Sequence, residues 1–132
     1  MKTSKPVELR VTYIGGPTAL FEYGGLRLLT DPTFDPAGTT YPTKLYTLRK
    51  LADPAVQADA LGRIDAVLLS HDHHFDNLDH AGRALLARAN RLLTTPAGAE
   101  HLGRGAAGLA AREILTARCL SSMHTRRGQA SH

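Results

Sequence analysis

The chain reads as an α/β protein. A meander of short strands comes first, and strands alternating with helices follow. At the end of one strand lies a dense group of imidazole and carboxylate side chains, Ser70 to Asp79, holding three of the seven histidines and three of the twelve acidic residues. In open α/β sheets the carboxyl ends of strands are where ligands bind.

The elements follow in order. Val7, Leu9, Val11 and Tyr13 alternate with Glu8, Arg10 and Thr12, the period of a half-buried strand. Gly15-Gly16-Pro17 breaks it, and Thr18 to Tyr23 reads as a second strand. Gly24-Gly25 is a two-residue hairpin signal, so Leu26 to Thr30 returns as a third. Residues 32–53 are punctuated by Pro32, Pro36, Gly38 and Pro42 and read as loop. Phe34, Tyr41 and Tyr46 fall there, as packing residues or as the lining of a substrate pocket. Pro54 to Leu61 has the form of a short helix with proline in its first turn, closed by Gly62.

Ile64 to Leu69 is an apolar run of strand length. After the His/Asp group, Leu78, Ala81, Leu85, Leu86 and Ala89 recur with a helical period. Arg91 to Thr95 is a further strand, Pro96 to Leu102 a helix ended by Gly103, and Gly105 to Ala111 a small-residue loop. Arg112 to Leu120 can form a last strand. Such alternation indicates α/β layering.

Length and charge narrow the function classes. At 132 residues the chain is one domain by prior. Residues 1–100 carry 11 Lys/Arg against 11 Asp/Glu, while 101–132 carry five Arg against Glu113 alone. The net +4 is therefore a property of the last quarter. Without aromatic interleaving or a known nucleic-acid module, that reads as a basic solvated tail and argues against nucleic acid as partner. No apolar run approaches the roughly 18–20 residues of a membrane span. Met1 to Pro6 lacks the apolar core of a secretory signal. The lone Cys119 allows no internal disulfide, so the expected compartment is the cytoplasm.

Imidazole nitrogens and carboxylate oxygens are the ligand set of zinc and similar divalent ions. On an extended loop, residues two apart project to one side, so His71 and His73 can grip one ion, with Asp76 on the same ion or a neighbour. A solvated polar loop with capping Asp and Asn would also account for any one of these residues, but hardly for their density. Asn77 suits a helix N-cap.

Ser70-His71-Asp72-His73, then Asp76, Leu78 and Asp79, resembles the His-x-His-x-Asp-His signature of the metallo-β-lactamase fold. The closest pattern is that of the branch containing ascorbate-6-phosphate lactonase and related metal-dependent hydrolases, Ser-His-Asp-His-Tyr-Asp-His-Leu-Asp. This chain has one extra residue and places Asn77 where that pattern has histidine. Anchored on the left, His71 and His73 are the paired ligands; anchored on the right, His74-Phe75-Asp76-Asn77 matches, with Asp72 in the first ligand's place. A bulge reconciles the two. The meander followed by Thr30-Asp31-Pro32 resembles the start of the same fold.

The resemblance implies the N-terminal half of an αββα sandwich, a mixed sheet with helices on one face, over residues 1–115. Residues 116–132 are then a basic polar tail, disordered or non-native, and the chain a truncated member whose later ligands are missing. It implies His71, His73, His74 and Asp76 as metal ligands, Asp76 also as proton acceptor, and Asp31 as a carboxylate supporting the ligands from behind. One or two ions are expected, zinc before iron or manganese. The implied chemistry is hydrolysis of a small ester, lactone or phosphoester by a metal-activated water. Half a sandwich also exposes an apolar sheet face, so self-association or a partner-binding, inactive half domain is the alternative.

Overall fold

The computed structural model describes residues 6–72, 74–103 and 106–108. Eight strands are present: β1 (Arg10–Gly15), β2 (Thr18–Tyr23), β3 (Leu26–Thr30), β4 (Thr40–Pro42), β5 (Thr47–Arg49), β6 (Ala66–Leu68), β7 (Arg91–Thr94) and β8 (Ala106–Gly108). Two helices, α1 (His80–Leu85) and α2 (Pro96–Leu102), complete the described elements with two 3-10 turns at Ala58–Ala60 and Leu86–Arg88.

Six strands form one mixed sheet in the order β1-β2-β3-β6-β7-β8. The meander is antiparallel, and from β3 onward the strands are parallel. The switch occurs between β3 and β6, which are neighbours in space but far apart in sequence. The loops leaving their carboxyl ends, Asp31 onward and Leu69 onward, therefore lie side by side, and the Asp31 N–H donates to the Leu68 carbonyl at 3.0 Å.

The two faces of the sheet differ. Ile14, Leu20, Leu29 and Val67 point to one face, where they form the core with Phe34, Leu61, Ile64, Leu78 and Leu85, and with Leu86 and Leu102 against its margin. Both helices thus cover the same face. On the other, Val11 pairs with Phe21, and Tyr13 with Ala19; Val11 is 51% and Tyr13 66% exposed.

Several expected elements are corrected. Pro54 to Leu61 is not a helix but a loop holding one 3-10 turn, because its backbone bonds outward: the Ala55 N–H donates to the Ile14 carbonyl at 2.9 Å. The expected loop at 32–53 contains the β4–β5 hairpin, whose strands are too short to carry a period. Within the expected loop at 105–111 lies β8, which pairs in parallel with β7. Its Gly108 allows close approach, since a Cβ there would meet the Pro96 Cα at 2.8 Å. The proposed strand at 112–120 and the tail at 116–132 lie outside the described residues. No helix among the described residues is long and apolar enough to cross a membrane.

Candidate metal-loop site at the end of the parallel strands

The site stands on two loops, one after β3 and one after β6. Thr18 holds the first: its hydroxyl donates to the Asp31 carbonyl at 2.6 Å and accepts the Thr33 N–H at 3.0 Å. Asp31 adopts φ +26°, in the region that L residues rarely occupy. That unusual backbone turns its carboxylate toward the second loop. There Oδ1 accepts the Ser70 N–H at 2.6 Å, and Oδ2 accepts the Ser70 hydroxyl at 2.9 Å and the Asn77 amide at 3.2 Å. Asp31 thus ties the loop after β3 to Ser70 and Asn77 of the histidine loop. Asn77 belongs to the same network and does not cap the helix. The N-cap of α1 is Asp79, whose Oδ1 accepts the Gly82 N–H at 2.8 Å.

His71 leaves this network toward the rim, its Nδ1 3.0 Å from the Ser70 hydroxyl oxygen. The rings of His71 and His74 meet edge to face with centroids 5.3 Å apart. From His74 the chain makes a tight turn, with the Asn77 and Leu78 N–H groups donating to the His74 carbonyl at 3.1 and 3.0 Å. This turn accommodates the extra residue of the signature. It leaves His74 and Asp76 exposed to solvent. His73 lies outside the described residues, so its place relative to His71 is not part of this geometry. Among the described residues no three His, Cys, Asp or Glu side chains gather as a cage for a metal. What is present is a pair of imidazoles, one anchored from behind, with an exposed carboxylate on the same turn. In donor chemistry that set fits a divalent ion.

Below the rim, a second carboxylate pair ties the loops to α1. Asp79 is 1% exposed, and its Oδ2 accepts the Asp35 N–H at 2.7 Å and Lys50 Nζ at 3.0 Å. Asp35 accepts the Ala81 N–H at 2.8 Å, the His80 N–H at 3.2 Å and the Tyr41 hydroxyl at 2.6 Å. Burial pushes the Asp35 carboxyl up, but the Tyr41 hydroxyl and the two backbone N–H donors outweigh it and hold the group below the usual aspartate value. Burial, and then the Asp35 carboxylate it donates to, push the Tyr41 phenol well above its ordinary value.

An open cavity of about 310 Å³ adjoins the rim. Its wall includes Phe75 and Asp76 of the histidine loop, Tyr41, Leu48 and Leu51 of the hairpin region, and Pro17. Tyr41 stacks on Phe75 with centroids 4.7 Å apart. Of the three aromatic residues considered for a pocket, Tyr41 lines this one, Phe34 is core and Tyr46 is exposed. Sequence reasoning missed Lys50 and Asp35, because no local pattern links them to Asp79. His101 is exposed and brings Nδ1 to 3.6 Å from Asp72 Oδ1.

Comparison with known proteins decides the family. The family described as Beta-lactamase superfamily domain matches residues 10–127. The chain belongs to this family. An uncharacterised protein of Mycobacterium tuberculosis is 42% identical over 71 residues, 54% of this chain and 18% of that protein. The isothiocyanate hydrolase from Delia radicum gut bacteria has the same fold over 79% of this chain and 43% of its own, with TM-score 0.63 and 21% identity. A possible metal-dependent hydrolase from Veillonella parvula matches 73% of this chain and 38% of its own, with TM-score 0.60 and 22% identity. The diiron β-hydroxylase CmlA of Streptomyces venezuelae matches 85% of this chain and 22% of its own, with TM-score 0.53 and 21% identity. The chain thus spans less than half the length of these solved relatives and about a fifth of the curated one. Its sheet, with helices on one face, is the N-terminal half of the metallo-β-lactamase-like sandwich.

Proposed function

We propose that this chain carries the metal-binding loop and part of the substrate cleft of a metal-dependent hydrolase. The observation that carries this reading is His71, anchored through Ser70 to Asp31 and in ring contact with the exposed His74, on the same loop whose Phe75 and Asp76 line the cavity. His71, His73, His74 and Asp76 would hold the ion, zinc before iron or manganese. When bound, a divalent ion there acidifies a water and polarises the oxygen under attack. Asp76, exposed at the cavity wall, would accept the proton released. Phe75, Leu48, Leu51 and Pro17 would take the apolar part of a small ester, lactone or phosphoester. The lone Cys119 favours the cytoplasm.

The test is metal content of untagged protein after zinc, iron or manganese reconstitution, followed by a panel of esters, lactones and phosphodiesters. At least one ion per chain and a turnover abolished in His71→Ala support the reading. No bound ion under any reconstitution rejects it for this chain.

The exposed apolar side chains at the meander edge of the sheet, Val11, Tyr13 and Tyr23, favour a second reading, a half domain that associates through them. Light scattering showing a monomer at high concentration rejects it.

A further inference from the structure

The Ser70 hydroxyl oxygen has three polar neighbours: Asp31 Oδ2 at 2.9 Å, His71 Nδ1 at 3.0 Å and Asn77 Nδ2 at 3.1 Å. A hydroxyl has one proton to give and two lone pairs to accept with. An ionised carboxylate only accepts, so the Ser70 proton must point at Asp31; turned elsewhere, it would leave two oxygen lone pairs facing each other at 2.9 Å. Asn77 presents its NH₂ group, because its carbonyl oxygen would repel Asp31 in the same position. The Asn77 amide therefore fills one lone pair of the Ser70 oxygen. The other lone pair is left for the third neighbour, and Nδ1 of His71 must arrive there as a donor.

We propose that Asp31, acting through the Ser70 hydroxyl with Asn77 as the accessory donor, holds His71 in the tautomer protonated on Nδ1. Ser70 and Asn77 are positioning residues. The residue that replaces the family's histidine here is a hydrogen-bond donor that completes the count around Ser70. The lone pair of neutral His71 then sits on Nε2, the nitrogen remote from the support. A histidine in water prefers the opposite tautomer, so the arrangement leaves a measurable mark. The inference concerns the chain itself. Only its use, preparing Nε2 to face an ion, rests on the hydrolase reading above.

The experiment is two-bond ¹H–¹⁵N correlation NMR of the metal-free, full-length chain at about pH 8, where an ordinary histidine is neutral. The expected result is a His71 Nδ1 with the shift of a protonated ring nitrogen and an Nε2 with that of a bare one. In Ser70→Ala the pattern reverses toward the Nε2-protonated form of free histidine, and in Ser70→Thr, which keeps the hydroxyl, it returns to the wild-type form. A wild-type His71 protonated on Nε2 overturns the proposal, whatever the variants do. So does a Ser70→Ala spectrum identical to wild type. Zinc titration of the same sample separates the two claims: an Nδ1-protonated His71 with no zinc bound leaves this inference standing and rejects the hydrolase reading.

Discussion

The aspartates of this site fall into two groups that differ in what surrounds them. Asp35 and Asp79 are buried, and each accepts three hydrogen bonds from backbone N–H groups and from Tyr41 or Lys50. They hold the loop after β3, the β5 margin and the first turn of α1 in one piece. Asp76 lies on the rim, exposed to solvent and to the cavity. Asp31 stands between the groups, its backbone fixed by Thr18 and its carboxylate turned toward Ser70. The buried carboxylates are therefore architectural, and the exposed Asp76 is the one that the proposed chemistry would use. A buried charge satisfied on all sides has no capacity left for a substrate, whereas an exposed one contributes little to stability.

Gly82→Ala tests the architectural group most severely. A Cβ there would lie 1.8 Å from the Pro32 carbonyl oxygen, with backbone on both sides of the clash. The expected loss is about 3 kcal/mol or more, since neither element can retreat without breaking the Asp35 and Asp79 bonds. Urea denaturation measures it, and a loss under about 1 kcal/mol would show that the loop yields easily.

Asp79→Ala should cost about 2–4 kcal/mol, because it removes the helix cap and the Asp35 N–H bond and leaves the half-buried Lys50 without its partner. Adding Lys50→Met should recover part of that loss. If the double variant is no more stable than the single one, the Lys50 contact contributes nothing, and the cap and the Asp35 N–H bond account for the effect.

The Asp35–Tyr41 bond separates the groups by pH. The Asp35 value is depressed in the fold, so its contribution is present above the unfolded aspartate value and is lost as pH falls through the folded one. The Tyr41 value is raised, so its contribution is complete below the unfolded tyrosine value, about 10, and is lost as pH rises through the folded one. Tyr41→Phe should cost about 1.5–3 kcal/mol at neutral pH and move the acid transition upward. Ultraviolet titration of the native protein should show one tyrosine, missing in Tyr41→Phe, ionising well above the ordinary tyrosine value. Four tyrosines ionising together would contradict the bond.

Asp76→Ala is the smallest change on the stability scale, within about 0.5 kcal/mol. In a reconstituted, active sample it should nonetheless abolish turnover. A large stability loss with activity retained would reverse the roles assigned to the two groups.

Much of this arrangement was legible in the chain. Strands Thr18–Tyr23 and Leu26–Thr30 and helix Pro96–Leu102 appear with the boundaries that alternation, Gly24-Gly25 and Pro96 mark. The histidine loop sits where an apolar run meets a helical period. Asp31 stood out in the chain because Thr30-Asp31-Pro32 resembles a known pattern, and its carboxylate does bond the histidine loop through Ser70. The helix expected at Pro54 to Leu61 failed because its backbone found partners on β1, which local propensity does not register. Strands β4, β5 and β8 are three residues each, too short for any period to emerge.

By itself, then, the sequence determined the order of the longer elements around the site and the place of the ligand-type side chains, because periodicity and turn chemistry are local. It did not determine the face β1 buries, since Val7, Leu9, Val11 and Tyr13 of its alternating set are exposed and Ile14 is buried. Tertiary structure alone decided that β3 lies beside β6, and so which residues meet at their ends. Asp31 reaches Ser70 across 39 positions, and Asp35 receives the Ala81 N–H across 46. Contacts of that span are set by the packing of the sheet and leave no periodic trace in the chain.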